Sequence, residues 1–114
     1  MSAITTHILN TTTGRPGAGI PVVLERKTHS AGWQPIAEGI TDNDGRINDL
    51  LSTKDAFLPG HYRFIFETGS YFLLQNIECF FPQVTVGFVV KDTMQHYHVP
   101  LLLNPFGYTV FRGR

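Results

Sequence analysis

Short apolar segments closed off by turn residues recur along the whole chain and limit the folds open to it. In the clearest segment, Gly60–Thr68, the aromatic residues Tyr62, Phe64 and Phe66 lie two positions apart, as in a β-strand with one buried face. Thr11–Gly17 is a run of turn residues, and only Gly69–Asn76 lacks the strand period and suits a short helix. The sequence therefore predicts an all-β fold, an eight-stranded two-sheet β-sandwich with one short helix. The predicted strands are Ile4–Asn10, Ile20–Lys27, Trp33–Thr41, Arg46–Leu51, Gly60–Thr68, Val84–Lys91, His96–Leu103 and Tyr108–Arg112.

The composition indicates one folded domain without a charged macromolecular partner. At 114 residues the chain is long enough for a single hydrophobic core, which we expect to span residues 1–114. Apolar residues make up 42% and charged residues 16%, a balance that favours folding over disorder. Nine basic residues offset nine acidic ones, so the charge gives no reason to expect nucleic acid or an anionic membrane as partner.

The single cysteine and the first residues bear on the compartment. Cys79 has no partner for a disulfide within the chain, and its aromatic neighbours favour a small buried side chain in a reducing compartment. The N-terminal residues lack the basic start and apolar stretch of a secretory signal. No apolar run approaches the ~20 residues that a membrane-spanning helix needs. We therefore expect a cytoplasmic protein with no membrane partner.

Two histidines two residues apart lead directly into an apolar strand. Because successive side chains of a strand point to opposite faces, this segment presents two different sets of residues. The set with the composition of a core face is Tyr97, Val99, Leu101 and Leu103, and the other set is His96, His98, Pro100 and Leu102. The second set suits neither a solvated face nor a core, so we expect it to serve a polar function under partial cover.

Leucines on the histidine-bearing faces indicate assembly. Leu9 and Leu102 are predicted to lie opposite the core positions Ile8 and Leu101. A soluble monomer is not expected to expose leucines there unless another subunit covers them. The sequence therefore predicts a homo-oligomer.

Three interpretations of the histidines stay open from the residues alone. One is a metal site built on His96 and His98, but catalytic zinc needs three protein ligands and neither HExxH nor CxxC is present. The second is acid–base catalysis by imidazole, helped by an arginine at developing negative charge. Since no nucleophile elbow is present, water would then be the nucleophile. The third is that His7, His96 and His98 are merely polar strand residues.

Motifs spread over nearly the whole chain resemble, in order, those of the transthyretin-like family. They are His7-Ile8-Leu9-Asn10, Thr13-Gly14-x-Pro16, Asp42-x-Asp44-Gly45-Arg46, Gly69-x-Tyr71-Phe72, Phe80-Phe81-Pro82, His96-Tyr97-His98-Val99-Pro100-Leu101-Leu102-Leu103, Pro105-Phe106-Gly107-Tyr108 and Arg112-Gly113. The resemblance implies a transthyretin-like sandwich of eight strands with one short helix. It also implies a homotetramer, a dimer of dimers, with its sites in the channel where the dimers meet.

The resemblance further implies a hydrolytic activity. Enzymes of this family open a lactam C–N bond of 5-hydroxyisourate, the unstable product of urate oxidation, to give 2-oxo-4-hydroxy-4-carboxy-5-ureidoimidazoline. The family reaction uses no cofactor, so a small-molecule substrate is the expected partner, and no metal site is predicted from the residues. The alternatives are a non-enzymatic small-ligand carrier of the transthyretin type and a weakly active paralogue.

The family's catalytic residues match three positions of this chain. His7 matches the N-terminal histidine, Arg46 the arginine of Asp-Gly-Arg, and His98 the second histidine of His-Tyr-His-Val-Pro. Opening a lactam needs an activated water, a donor for the oxyanion and a proton for the leaving nitrogen. We expect the two imidazoles and the guanidinium to supply these functions, with either histidine as the base. His96 is expected to support the structure or a subunit interface.

The C-terminal tail departs from the family's usual Tyr-Arg-Gly-Ser. Arg112 matches the arginine and is expected to bind substrate together with Phe111 and Arg114, but Phe111 lacks the phenol hydroxyl and Arg114 replaces the serine. A hydroxyl that only binds substrate is worth ~1–2 kcal/mol, whereas one that transfers a proton is worth ~10²–10⁴ in rate. With His7, Arg46 and His98 retained, the expectation is an active enzyme that is slower or has a shifted preference.

Overall fold

Two β-sheets pack face to face in the computed structural model, which describes residues 2–52 and 56–113. Within these residues it contains nine strands and one helix, and the all-β prediction with one short helix is confirmed. The elements are β1 (Ile4–Asn10), β2 (Arg15–Pro16), β3 (Pro21–Thr28), β4 (Gly32–Ile40), β5 (Arg46–Ile47), β6 (Gly60–Phe66), α1 (Thr68–Leu74), β7 (Val84–Val90), β8 (Tyr97–Asn104) and β9 (Gly107–Val110). No helix in the described part of the chain is long and apolar enough to cross a membrane.

Most strands agree with the prediction to within two residues at each end, and two segments differ. The predicted strand Arg46–Leu51 is a strand only at Arg46–Ile47, because the chain then leaves the sheet and buries Leu50 and Leu51 against the core. The predicted turn Thr11–Gly17 contains the two-residue strand β2, which the turn folds back onto the end of β1. The described residues therefore form nine strands rather than eight.

The strand order brings distant parts of the sequence side by side. The first sheet has the order β2-β1-β8-β9, with β5 also paired to β1, and the second has the order β4-β3-β6-β7. β1 and β8 run parallel, with Thr5 opposite His98 and His7 opposite Pro100. β5 is antiparallel to β1 and places Arg46 opposite His7. Segments whose paired residues lie 93 positions apart in the sequence, such as Thr5 and His98, thus become neighbours in one sheet.

The core lies between the inner faces of the two sheets and orients β8. The predicted core face of β8 is buried, and the second sheet contributes Tyr62, Phe64 and Phe66, each with no exposed surface. Large aromatic side chains dominate the hydrophobic stabilisation of such a core. Since β8 turns its apolar set inward, His98 and Leu102 lie on the opposite side, here called the outer face of the first sheet. Cys79, predicted to be buried, is only partly buried and packs against the core residues.

Candidate active site

His7, Arg46 and His98 share the outer face of the first sheet. His7 and Arg46 are directly opposite each other on β1 and β5, and paired residues of a sheet project to the same side. His98 pairs with Thr5, which lies two residues from His7 on the same face of β1. The two imidazoles are half-buried and Arg46 is exposed. The structure thus brings together the three residues that the sequence analysis assigned to catalysis.

A tight turn before β5 fixes the position of Arg46. The Asp42 carboxylate accepts hydrogen bonds from the backbone N–H groups of Asp44 and Arg46, each at 2.9 Å. Gly45 has a φ of +74°, a conformation that side chains other than glycine adopt at a cost. Its carbonyl accepts a 2.7 Å hydrogen bond from the backbone N–H of Ile8. The turn is therefore attached to β1 next to His7, which keeps Arg46 directly opposite His7 in the sheet.

The environment of His98 lowers its pKa below the ordinary value of 6.5. Burial is the largest cause, because it disfavours the charged imidazolium, and positive charge on His96, His7 and Arg46 acts in the same direction. A hydrogen bond with the Thr5 backbone opposes these effects. His98 is therefore an uncharged imidazole at neutral pH, which is the form that accepts a proton from water.

Thr5 is a residue of this site that the sequence analysis missed. Its hydroxyl oxygen lies 2.7 Å from Nδ1 of His98 and 3.0 Å from Nε2 of His96. The two rings are nearly parallel, with centroids 6.3 Å apart and an interplanar angle of 17°. The signal for Thr5 was present in the sequence, because the strand period places it on the same face as His7. His96, expected to support the structure, is joined to His98 through this hydroxyl.

The C-terminal tail returns to β8 and packs against His98. The backbone N–H of Gly113 donates a 2.8 Å hydrogen bond to the carbonyl of His98, and the two residues form an antiparallel bridge. A Cβ at Gly113 would lie 2.6 Å from Cδ2 of the His98 ring and 3.0 Å from the Pro100 ring. Only a residue without a side chain allows this approach, so the glycine lets the tail cover one edge of the imidazole.

The side chains of the tail differ in their positions. The guanidinium of Arg112 lies over the ring of Tyr97, 4.6 Å from its centroid, and donates a 2.8 Å hydrogen bond to the side-chain oxygen of Gln95. No hydrogen bond joins this guanidinium to His7, Arg46 or His98, although Arg112 and His98 line one cavity. Phe111 is 51% exposed. Arg114, the third residue expected to bind substrate, lies outside the described residues.

The chemistry open to this arrangement is acid–base chemistry. Among residues 2–52 and 56–113, no group of three or more His, Cys, Asp or Glu side chains is arranged to hold a metal ion. His96 and His98 instead direct one ring nitrogen each at the same hydroxyl. The imidazoles of His7 and His98 can move protons, and the cationic Arg46 can stabilise negative charge on an oxygen. Hydrolysis of a carbonyl compound requires both functions.

Comparison with known proteins agrees with this arrangement. The model of the HIUase/Transthyretin family matches residues 4–113. A 5-hydroxyisourate hydrolase of Salmonella dublin is 47% identical over 110 residues, which are 96% of this chain and 79% of that protein. A mouse protein of the same name is 38% identical over 113 residues, 98% of this chain and 95% of its own length.

Two solved structures have the same fold. The structure of Klebsiella pneumoniae 5-hydroxyisourate hydrolase aligns with a TM-score of 0.83 at 32% identity, covering 97% of this chain and 98% of that one. Sea bream transthyretin in complex with thyroxine aligns with a TM-score of 0.91 at 32% identity, covering 98% and 95%. The resemblance found in the sequence motifs is confirmed. The chain belongs to the HIUase/Transthyretin family.

Proposed function

We propose that this protein is an enzyme that hydrolyses 5-hydroxyisourate to 2-oxo-4-hydroxy-4-carboxy-5-ureidoimidazoline in urate degradation. The observation that carries the proposal is the convergence of His7, Arg46 and His98 on one face from three separate strands. Relatives that are 36–47% identical over most of the chain are named 5-hydroxyisourate hydrolases, which supports the same substrate. No cofactor enters the proposed reaction.

In the proposed mechanism His98 is the general base. Its lowered pKa keeps the imidazole uncharged at neutral pH, so it accepts a proton from water as the water oxygen attacks the lactam carbonyl carbon. Arg46 stabilises the negative charge that develops on the carbonyl oxygen. The C–N bond then breaks, and the leaving nitrogen takes a proton from an imidazolium. His7 is the second imidazole that can supply this proton. One proton of the water ends on the leaving nitrogen, and the other leaves the new carboxylic acid for solvent. The products are therefore a carboxylate, an N–H group and a released proton.

The proposed substrate-binding residues are Arg112, Phe111 and Arg114. The tail that carries them is attached beside His98 through Gly113, which supports a place next to the reacting atoms. A planar substrate rich in carbonyl oxygens suits the forked donors of a guanidinium. For Arg112 to bind it, the guanidinium must exchange its contacts with Tyr97 and Gln95 for the substrate.

The proposed assembly is a homotetramer, a dimer of dimers, in the cytoplasm. β7 and β9 each end a sheet with no further strand beside them among the described residues, and such edges pair readily with a second copy. The outer face combines Leu9 and Leu102 with the histidines, so a facing dimer would cover both the apolar residues and the site. The lone Cys79 fits a reducing compartment.

A carrier of small ligands is the competing function, since transthyretin shares the fold. The fold does not separate the two functions, because it also matches the hydrolase structure over nearly the whole chain. The side chains favour the enzyme over the carrier. Binding alone does not require an uncharged imidazole on the same face as a second imidazole and a guanidinium, whereas acid–base catalysis does. We therefore favour the enzyme.

Decay of freshly made 5-hydroxyisourate tests the proposal directly. Urate is oxidised by urate oxidase, that enzyme is removed, and the absorbance of the intermediate is followed with and without this protein. We expect decay at least about tenfold faster than in buffer, because even one positioned general base contributes ~10²-fold or more. Decay at the buffer rate over a range of protein concentrations would refute the hydrolase.

A further inference from the structure

One buried hydroxyl joins the imidazoles of His96 and His98. The Thr5 side chain is 1% exposed, and its oxygen makes hydrogen bonds with Nδ1 of His98 at 2.7 Å and Nε2 of His96 at 3.0 Å. No other partner of this hydroxyl is found in the described part of the chain. A threonine hydroxyl has a single hydrogen and two lone pairs. When it donates to one imidazole, the other imidazole must therefore donate to it.

The contacts of the His98 ring leave one nitrogen for chemistry. Nδ1 faces Thr5, and Cδ2 is the ring atom nearest to the position that a Cβ of Gly113 would occupy. Nε2 lies across the ring from Nδ1 and carries no hydrogen bond to a described residue. If Nδ1 bears the hydrogen, Nε2 has a free lone pair and can act as a base. If Nε2 bears the hydrogen, the uncharged ring has no lone pair to offer at that position.

We propose that Thr5 is a positioning residue that selects the reactive tautomer of His98. Its oxygen accepts the Nδ1–H of His98, and its hydroxyl hydrogen is donated to Nε2 of His96. His96 thereby acts through Thr5 as the acceptor that orients the hydroxyl, rather than through contact with substrate. The choice of the Nδ1–H tautomer rests on the proposed function, because that function needs a free lone pair on Nε2, whereas the measurement of the tautomer does not depend on it.

The test replaces Thr5 with valine, which has nearly the same shape and no hydroxyl. The matched control is Thr6→Val. Thr6 is also buried, and its hydroxyl donates a 2.7 Å hydrogen bond to the carbonyl of Val99, but it lies on the opposite face of β1 from Thr5. Thr5→Ser keeps the hydroxyl and serves as the rescuing variant. All three proteins and the unmodified chain are labelled with a nitrogen isotope in their histidine rings for NMR.

In the unmodified protein at neutral pH, we expect NMR to find His98 with its hydrogen on Nδ1. Thr5→Val should move the population toward the Nε2–H form, while Thr6→Val and Thr5→Ser leave it unchanged. The kcat for 5-hydroxyisourate should fall about tenfold to a hundredfold in Thr5→Val with KM nearly constant, because the base is lost from part of the population while substrate contacts remain. Thr5→Ser should retain most of the activity.

Two results would overturn the proposal. One is an Nε2–H tautomer of His98 in the unmodified protein, which decides the matter even if Thr5→Val does not fold. The other is an Nδ1–H tautomer and an unchanged kcat in a folded Thr5→Val. If the unmodified protein does not hydrolyse 5-hydroxyisourate, the proposed function fails, and the NMR result still decides whether Thr5 sets the tautomer. The groups that face His98 in these measurements are His96, His7 and Arg46.

Discussion

Replacing His98 with asparagine is expected to lower kcat for 5-hydroxyisourate hydrolysis by about 10²–10⁴-fold. Asparagine keeps a polar side chain that reaches Thr5 but has no group that accepts a proton at neutral pH. Because the substrate contacts proposed for Arg46 and His7 remain in this variant, KM should change much less than kcat. The measurement is the initial rate of decay of freshly made 5-hydroxyisourate over a range of concentrations.

The control is the same substitution at His61, an exposed histidine of β6 in the other sheet. His61→Asn should leave kcat within about twofold, because that ring is remote from the outer face. Equal rates for His98→Asn and the unmodified protein would remove His98 from the mechanism, whatever the activity of the protein as a whole.

The same histidine sets the expected pH dependence. A base works only when unprotonated, so kcat/KM should fall as the pH drops through the pKa of His98. Since burial and the neighbouring positive charges lower that pKa, the midpoint of the acid limb should lie below 6.5. Arg46→Gln removes one of the charges and should move the midpoint upward. A midpoint above 6.5 in the unmodified protein would contradict His98 as the base.

Replacing Gly45 with alanine is expected to destabilise the protein by about 2–5 kcal/mol. The residue has a φ of +74°, which costs about 1–2 kcal/mol for a residue with a Cβ. The new Cβ would also lie 2.4 Å from the carbonyl oxygen of Ile8, a backbone atom that cannot move without disturbing β1. Relieving such overlap costs a further ~1–3 kcal/mol. Urea unfolding of the variant and the unmodified protein measures the loss.

Gly14 provides a matched control for this substitution. Its φ of +72° is almost the same, but a Cβ there would meet nothing within 4 Å. Gly14→Ala should therefore lose only the ~1–2 kcal/mol of the backbone conformation. Because the Gly45 turn also carries Arg46, we expect Gly45→Ala alone to reduce activity under conditions where both variants are folded. Equal losses of stability in the two variants would show that the contact with Ile8 has no cost.

Strand periodicity was sufficient to predict the faces of β8 but not the lengths of all strands. The apolar set of β8 is buried as its alternation predicts, because a strand with one buried face has apolar residues at every second position of its sequence. Leu50 and Leu51 are equally apolar but lie in a segment that leaves the sheet to cover the core. Local pattern does not distinguish these two ways of burying a leucine. The two-residue strand β2 is too short to have a period at all.

Local pattern also does not reveal which strands are neighbours. His7 and His98 meet because β1 pairs in parallel with β8, and nothing in either segment specifies that partner. The expectation that they act together came from the family resemblance. Thr5 was missed for a related reason: its hydroxyl gains significance only when the paired strand brings two imidazoles to it. The roles of Arg112 and Phe111 depend on substrate contacts and stay predictions.

A crystal structure of the protein with a bound planar urate-like heterocycle that inhibits it competitively would test the location of the active site most directly. We expect the ring to lie on the outer face of the first sheet, with its oxygens within hydrogen-bond distance of Arg46 and with His7 and His98 beside its lactam carbonyl. A competitive inhibitor bound elsewhere, with these three side chains free of it, would contradict the assignment of this face as the active site.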